Sequence, residues 1–127
     1  MRRALQHMIP RESGSILVTS SVEGKLGKPG IPGYAATKHA VNGLVKAAAQ
    51  ETGTLGVTVN AILPGYAESE MTAGMFANEK FLAAVPRRIP MQRFGKPGDY
   101  GGIAAYLMSD LSAYHTGDCF VIDGGYT

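Results

Sequence analysis

The sequence contains no tryptophan, only one cysteine, and no apolar run long enough to span a membrane. A single cysteine cannot form an internal disulfide, and the apolar run Cys119-Phe120-Val121-Ile122 predicts a packed thiol. The three histidines have no metal-ligand spacing with one another or with Cys119, which argues against a metal site. No long apolar stretch follows Arg2 and Arg3, so a signal peptide is not expected and a cytoplasmic location is predicted.

Charge is also sparse. The 127 residues include 12 Lys or Arg and 10 Asp or Glu, a formal net charge of +2. Nucleic-acid binding requires a denser basic stripe than the one local cluster of Arg87, Arg88 and Arg93, so it is not expected. With 45% hydrophobic and 17% charged residues, the composition predicts one compact domain, residues 1–127, that buries its own core.

A further absence concerns one particular glycine-rich turn. A strand followed by a glycine-rich turn and a helix is the usual site for a dinucleotide pyrophosphate, and no such arrangement occurs between Met1 and Thr127. Glycines do recur every third residue from Gly24 to Gly33, but they follow a β-rich run and precede an alanine-rich segment. They therefore predict a turn-rich loop over residues 22–33.

The hydrophobic pattern alternates between short β-rich runs and helical segments. Buried strands are predicted at 15–20, 57–63 and 119–122, and helices at about 2–9, 34–52 and 97–109. The apolar helical pattern at 66–86 is typical either of a mobile lid or of a helix packed on the core. The predicted fold is α/β, a partial doubly wound (Rossmann-like) parallel sheet of three strands with flanking helices. Such a sheet has an open edge, so self-assembly or poor solubility is expected.

Tyr34 and Lys38 are the most informative pair in the chain. They lie four residues apart at the head of the alanine-rich segment, so on a helix they share a face. A cation about 4 Å from a phenolate contributes about 4 kcal/mol at an effective dielectric constant of about 20, but only about 1 kcal/mol in bulk water. The pair is therefore useful for proton transfer only inside a partly closed site. Ser21, at the end of the first predicted strand, could hold a substrate oxygen there.

Four segments occur in a recognisable order. They are Gly14-Ser15-Ile16-Leu17-Val18-Thr19-Ser20-Ser21, Tyr34-Ala35-Ala36-Thr37-Lys38, Asn60-Ala61-Ile62-Leu63-Pro64-Gly65 and Val121-Ile122-Asp123-Gly124-Gly125. Together they resemble the C-terminal half of a short-chain dehydrogenase/reductase, and the resemblance spans essentially the whole chain. It implies a fold that lacks the N-terminal dinucleotide-binding half.

The resemblance assigns roles to individual residues. It implies that Ser21 is the catalytic serine, Tyr34 the acid/base tyrosine and Lys38 the lysine that assists the tyrosine and holds the nicotinamide ribose. Tyr34 and Lys38 would thus both contact the cofactor. A second set, which would hold the nicotinamide carboxamide, comprises Pro64, Gly65, Ala67 and Ser69. The family more often has threonine where Ser69 stands, so the hydroxyl is kept and a methyl group is lost.

The implied function is an NAD(P)-dependent oxidoreductase that interconverts a secondary alcohol and a ketone, possessed by this chain or by a longer protein of which it is the C-terminal portion. Either NAD or NADP fits, because the residues that choose between them are outside the chain. Enoyl reductases of the same superfamily use a wider Tyr/Lys spacing. A homo-oligomer through the 34–52 helix is also implied. The alternative is a non-catalytic remnant whose property is oligomerisation through that helix.

Overall fold

The three predicted strands form one parallel sheet. The structure, a computed structural model, describes all residues from Met1 to Thr127. Strand β1 is Gly14–Thr19, β2 is Val57–Pro64 and β3 is Cys119–Ile122, and they are hydrogen-bonded in the order β1-β2-β3. In register, Ile16 lies opposite Val59 and Ala61 opposite Cys119. The sequence-based strand bounds are confirmed to within one residue.

Five α-helices surround the sheet. Their bounds are Arg2–Met8 (α1), Pro32–Thr52 (α2), Ala73–Phe76 (α3), Glu79–Ala84 (α4) and Gly98–Leu107 (α5). None of these helices is both long enough and apolar enough to cross a bilayer. Helix α2 begins two residues before the predicted start because Pro32, at its first position, has the φ angle of a helix and needs no N–H partner there.

Helix α2 packs on one face of the sheet and builds the core. Buried side chains of α2 and β2 form one hydrophobic cluster: Val45, Ala48, Ala49, Val59, Ala61 and Leu63. Alternate residues of the two outer strands pack against this cluster: Ile16 and Val18 of β1, and Cys119 and Val121 of β3. Cys119 is half-buried there, and burial raises the pKa of its thiol.

Helix α5 covers the other face. Phe120 alternates with Cys119 and Val121, so its side chain points away from α2. It contacts His115, whose ring meets Tyr106 of α5 edge-on, with the tyrosine hydroxyl 2.9 Å from His115 Nδ1. Helices on both faces of a three-strand parallel sheet confirm the predicted partial doubly wound fold.

Asn60 holds the loop that leads into β3. Its side chain is almost completely buried, donates from Nδ2 to the His115 carbonyl at 2.8 Å and accepts from the Asp118 backbone N–H at 3.1 Å. The neighbouring Val59 N–H donates to Thr116 Oγ1 at 3.0 Å. These bonds fix the chain reversal that brings β3 alongside β2.

The segment after β2 is more broken than the sequence pattern suggests. A single 3₁₀ turn, Glu70–Thr72, precedes the short helices α3 and α4. The rings of Phe76, Phe81 and Phe94 pack together with centroid separations of 4.6 to 5.8 Å. This aromatic cluster anchors the segment, whereas Met71 and Met75 nearby remain exposed.

Strand β1 has a neighbour on one side only. Every one of its residues, Gly14–Thr19, keeps some exposure, whereas most of β2 is buried. Its second edge is therefore open for pairing, as the sequence predicts.

Candidate active site

A cavity of about 560 Å³ opens at the carboxyl ends of β1 and β2. This is the position at which open α/β sheets bind ligands. Its lining includes all seven residues that the sequence singled out: Ser21, Tyr34, Lys38, Pro64, Gly65, Ala67 and Ser69.

Ser21 is fixed by the backbone that follows it. It caps the 3₁₀ turn Val22–Gly24, where its Oγ accepts a hydrogen bond from the Glu23 N–H at 3.1 Å. Ser20 continues the β-ladder past β1 by donating its N–H to the Ile62 carbonyl at 2.8 Å. The Ser20 hydroxyl donates to the Lys38 carbonyl at 3.3 Å, which ties the end of the strand to α2.

A close contact at Gly24 brings this turn against α2. Asn42 Nδ2 donates to the Gly24 carbonyl at 2.9 Å. A Cβ at position 24 would lie 2.7 Å from that nitrogen and 2.8 Å from the Lys38 carbonyl oxygen, so only glycine fits without displacement. The approach of the Ser21 turn to the helix that carries Tyr34 therefore depends on the missing side chain at Gly24.

Tyr34 and Lys38 occupy the first turns of α2, on one face. Lys38 Nζ donates to the Thr19 carbonyl at 3.2 Å and lies 5.6 Å from the centre of the Tyr34 ring. The ammonium is thus anchored to the end of β1 beside the phenol. The Tyr34 side chain is partly exposed, with 37% of its residue surface accessible, and lines the cavity.

The segment after β2 supplies the opposite wall. Gly65 donates its N–H to the Ile122 carbonyl at 3.0 Å, and a Cβ there would lie 2.6 Å from Asp123 Cβ. Ser69 caps the turn Glu70–Thr72 and accepts from the Thr72 N–H at 3.3 Å. Burial alone would raise the pKa of Asp123, but hydrogen bonds from the N–H groups of Gly125 and Thr127 outweigh it and lower the pKa.

The sequence did not single out several other residues of the cavity, and three of them carry polar groups that matter below. Glu23, Lys28 and Tyr66 all line the cavity. Lys28 Nζ donates to the Tyr66 hydroxyl at 2.8 Å and lies 4.9 Å from the centre of its ring. No spacing motif marks these residues, and Glu23 and Lys28 fall in the segment whose glycines and prolines predict only a turn-rich loop.

A smaller cavity of about 240 Å³ adjoins the first through shared walls at Tyr66 and Tyr100. On its rim, the two guanidinium nitrogens of Arg93 bind both oxygens of Asp99, at 2.6 and 2.8 Å. The Arg93 hydrogen bonds and that from the Lys96 N–H hold the pKa of Asp99 below its usual range.

A serine, a tyrosine and a lysine gathered at the strand tips of a doubly wound sheet define the chain as a short-chain dehydrogenase/reductase. The family model that matches residues 1–127, the whole chain, carries the description "Enoyl-(Acyl carrier protein) reductase". The chain therefore belongs to the short-chain dehydrogenase/reductase family that this model represents.

Named relatives agree with this assignment. The chain is 39% identical over 122 residues to gluconate 5-dehydrogenase of Gluconobacter oxydans, covering 96% of this chain and 48% of the relative. It is 38% identical over 125 residues to the 3-oxoacyl-(acyl-carrier-protein) reductase FabG of Staphylococcus aureus, covering 98% and 50% respectively.

A solved structure extends the likeness to three dimensions. The gluconate 5-dehydrogenase of Burkholderia cenocepacia, solved in complex with NADP and tartrate, superposes with a TM-score of 0.93 at 34% identity. That match covers 95% of this chain and 48% of the solved chain. The chain thus spans about half the length of the relatives it matches.

Proposed function

We propose that the chain is the catalytic portion of an NAD(P)-dependent oxidoreductase that interconverts a secondary alcohol and a ketone by hydride transfer. The observation that carries the proposal is that Ser21, Tyr34 and Lys38, from two separate segments, line one cavity at the strand tips. A bound nicotinamide would supply or accept the hydride.

The protein side of the reaction is proton transfer at the substrate oxygen. Ser21 Oγ accepts the Glu23 N–H, and its own proton has no acceptor within the protein, so it is free to donate to the substrate oxygen. Tyr34 then gives a proton to that oxygen in reduction and takes it back in oxidation. Lys38, held by the Thr19 carbonyl, places its ammonium beside the phenol, 5.6 Å from the centre of the ring.

The cavity residues fit the nicotinamide end of the cofactor. Pro64, Gly65, Ala67 and Ser69 line the cavity together with Tyr34, so backbone groups and one hydroxyl are available to hold a carboxamide. The chain has no glycine-rich turn for the pyrophosphate. The proposal therefore covers NAD and NADP alike; the Burkholderia cenocepacia relative was solved with NADP.

The substrate is a small alcohol or carbonyl compound. The relatives suggest two chemistries, a hydroxylated acid such as gluconate and an acyl-carrier-linked ketone. Enoyl reduction, which the family description names, is less well supported, because enoyl reductases are expected to have a wider spacing than the four residues between Tyr34 and Lys38.

The test is substitution of Tyr34 with phenylalanine. NADH and NADPH are titrated by fluorescence, and oxidation of secondary alcohols is followed at the nicotinamide absorbance. Tyr34→Phe should abolish turnover and retain cofactor binding, whereas Tyr114→Phe, at a fully exposed position outside the cavity, should change neither. Turnover that survives in Tyr34→Phe would refute the assigned role. Absence of binding at millimolar cofactor would favour the alternative, a non-catalytic remnant.

We further propose that the chain forms a homo-oligomer through α2. The helix has an exposed stripe of apolar residues at helical spacing, Ala36, Ala40, Leu44 and Ala47. Leu44 is 55% exposed. Leu44→Glu should lower the molar mass measured by light scattering, whereas Leu111→Glu, at an exposed position on another element, should not. An unchanged mass for Leu44→Glu would exclude this interface.

A further inference from the structure

Lys28 is a positioned cation without a negative partner. It is half-buried, and its ammonium uses one donor on the Tyr66 hydroxyl at 2.8 Å. The Tyr66 ring is itself held edge-to-face by Phe81 and Tyr126, at centroid separations of 5.7 and 5.2 Å. The one salt bridge of the protein joins Arg93 to Asp99, so no carboxylate lies within 4.0 Å of the Lys28 ammonium. Its two remaining donors have no partner in the protein.

Glu23, in the same cavity, is a buried carboxylate without a partner. The residue is only 8% exposed, its Oε2 is completely covered, and its carboxylate accepts no hydrogen bond. A buried carboxylate without a partner is strongly unfavourable. Glu23 also lines the cavity, so a hydroxyl group bound there can supply the donor that this carboxylate lacks.

These two groups differ in what they can bind. An ammonium with free donors binds a carboxylate, and an unpaired carboxylate binds hydroxyl groups. An acyl thioester presents neither a negative charge nor hydroxyl groups on both sides of its carbonyl, so it would leave both Lys28 and Glu23 unsatisfied. A polyhydroxylated carboxylic acid would satisfy both.

We propose that Lys28 binds the carboxylate and Glu23 a hydroxyl group of the substrate, and that the substrate class is therefore the hydroxylated carboxylic acids rather than acyl thioesters. This rests on the proposed function for the identity of the reacting carbon. The recognition itself, however, is a binding property that can be measured without turnover.

The experiment compares D-gluconate with D-glucitol, the matched polyol that lacks the carboxylate. Binding to the full chain is followed by calorimetry and by backbone amide shifts in NMR spectra. The variants are Lys28→Met, Glu23→Gln and, as a matched control, Lys25→Met, which removes an exposed ammonium three residues away that does not line the cavity.

D-Gluconate should bind the wild type more tightly than D-glucitol. Lys28→Met should weaken D-gluconate about tenfold or more and leave D-glucitol unchanged, since a hydrogen bond to a charged group is lost only for the acid. Glu23→Gln should weaken D-glucitol by several-fold, and Lys25→Met should change neither ligand.

Equal affinity for the two ligands, no binding of D-gluconate, or equal losses in Lys28→Met and Lys25→Met would overturn the proposal. Inorganic pyrophosphate serves as a probe for a cofactor phosphate at Lys28. If Lys28→Met weakens pyrophosphate as much as D-gluconate, Lys28 is a general anion site and the proposal fails.

The same titrations in Tyr34→Phe separate this proposal from the catalytic one. Discrimination between the two ligands should persist in that variant, because Lys28 and Glu23 are unchanged. Turnover without a requirement for Tyr34 would refute the proposed function and leave the binding result standing. If turnover requires Tyr34 but the protein binds D-gluconate and D-glucitol equally, the proposed function stands and the proposed substrate recognition is refuted.

Discussion

The contact at Gly24 determines whether the serine turn and the tyrosine helix can meet, and Gly24→Ala tests it directly. The backbone of Gly24 is not in the left-handed region, so alanine is strained only by what its Cβ meets. That Cβ would press on Asn42 Nδ2 at 2.7 Å and on the Lys38 carbonyl at 2.8 Å. The second neighbour is helix backbone, which cannot rotate away.

The expected loss has two parts. Overpacking in a tight contact costs about 1–3 kcal/mol. Displacing Asn42 also removes its buried hydrogen bond to Gly24, worth about 1 kcal/mol. Gly24→Ala should therefore lower the free energy of unfolding by about 2–4 kcal/mol.

The assay is urea denaturation followed by circular dichroism, since the chain has no tryptophan. Gly27→Ala is the matched control: it lies in the same loop, its φ is also ordinary, and a Cβ there meets nothing within 4 Å. Its stability should remain within about 0.5 kcal/mol of wild type.

Asn42→Ala completes a double-mutant cycle with Gly24→Ala. Because both changes remove the same hydrogen bond, their effects should be less than additive by about 1 kcal/mol. A Gly24→Ala variant as stable as Gly27→Ala, or a strictly additive double variant, would contradict the role given to this contact.

Two further stability predictions concern single side chains. Asn60→Ala should lower the free energy of unfolding by about 2 kcal/mol, because its almost completely buried side chain makes two hydrogen bonds to backbone groups, worth about 1 kcal/mol each. Thr58→Ala on the same strand should cost less than about 1 kcal/mol, and equal losses in urea would contradict this. For Asp99, Arg93 lowers the folded-state pKa, so the stabilisation is present above about pH 4, the usual unfolded-state pKa, and is lost as the pH falls towards the folded-state pKa. Asp99→Asn should therefore be less stable than wild type at neutral pH, with a difference that shrinks on acidification; a difference that does not depend on pH would show that the charge is not responsible.

Strong local patterns made the sheet and its site predictable. The strands end at Gly, Pro or Ser signals, so their bounds were predicted to within one residue. The direction of parallel strands then placed Ser21 and Pro64 at the same edge. The spacing of Tyr34 and Lys38 correctly put both on one face of α2, although Lys38 also bonds to Thr19, which the spacing alone does not indicate.

The cavity walls were harder to predict, because they depend on contacts between distant segments. Lys28 meets Tyr66 across 38 residues of sequence. The apolar pattern after Tyr66 predicted helix correctly in kind, but Thr72 and Asn78 divide it into short pieces by satisfying backbone groups locally. The roles of the individual site residues, and a single domain over residues 1–127, stay predictions.

The two ends of the segment between Ala67 and Gly95 lie side by side. Ala67 pairs with Gly95, whose N–H donates to the Tyr66 carbonyl and whose carbonyl accepts from the Glu68 N–H, both at 2.9 Å. Its two ends are thus joined by hydrogen bonds, while Met71 and Met75 in the segment line the cavity. Replacing this segment with the equivalent stretch of another family member should therefore change one wall of the cavity, while Ser21, Tyr34 and Lys38 stay on the elements that carry them.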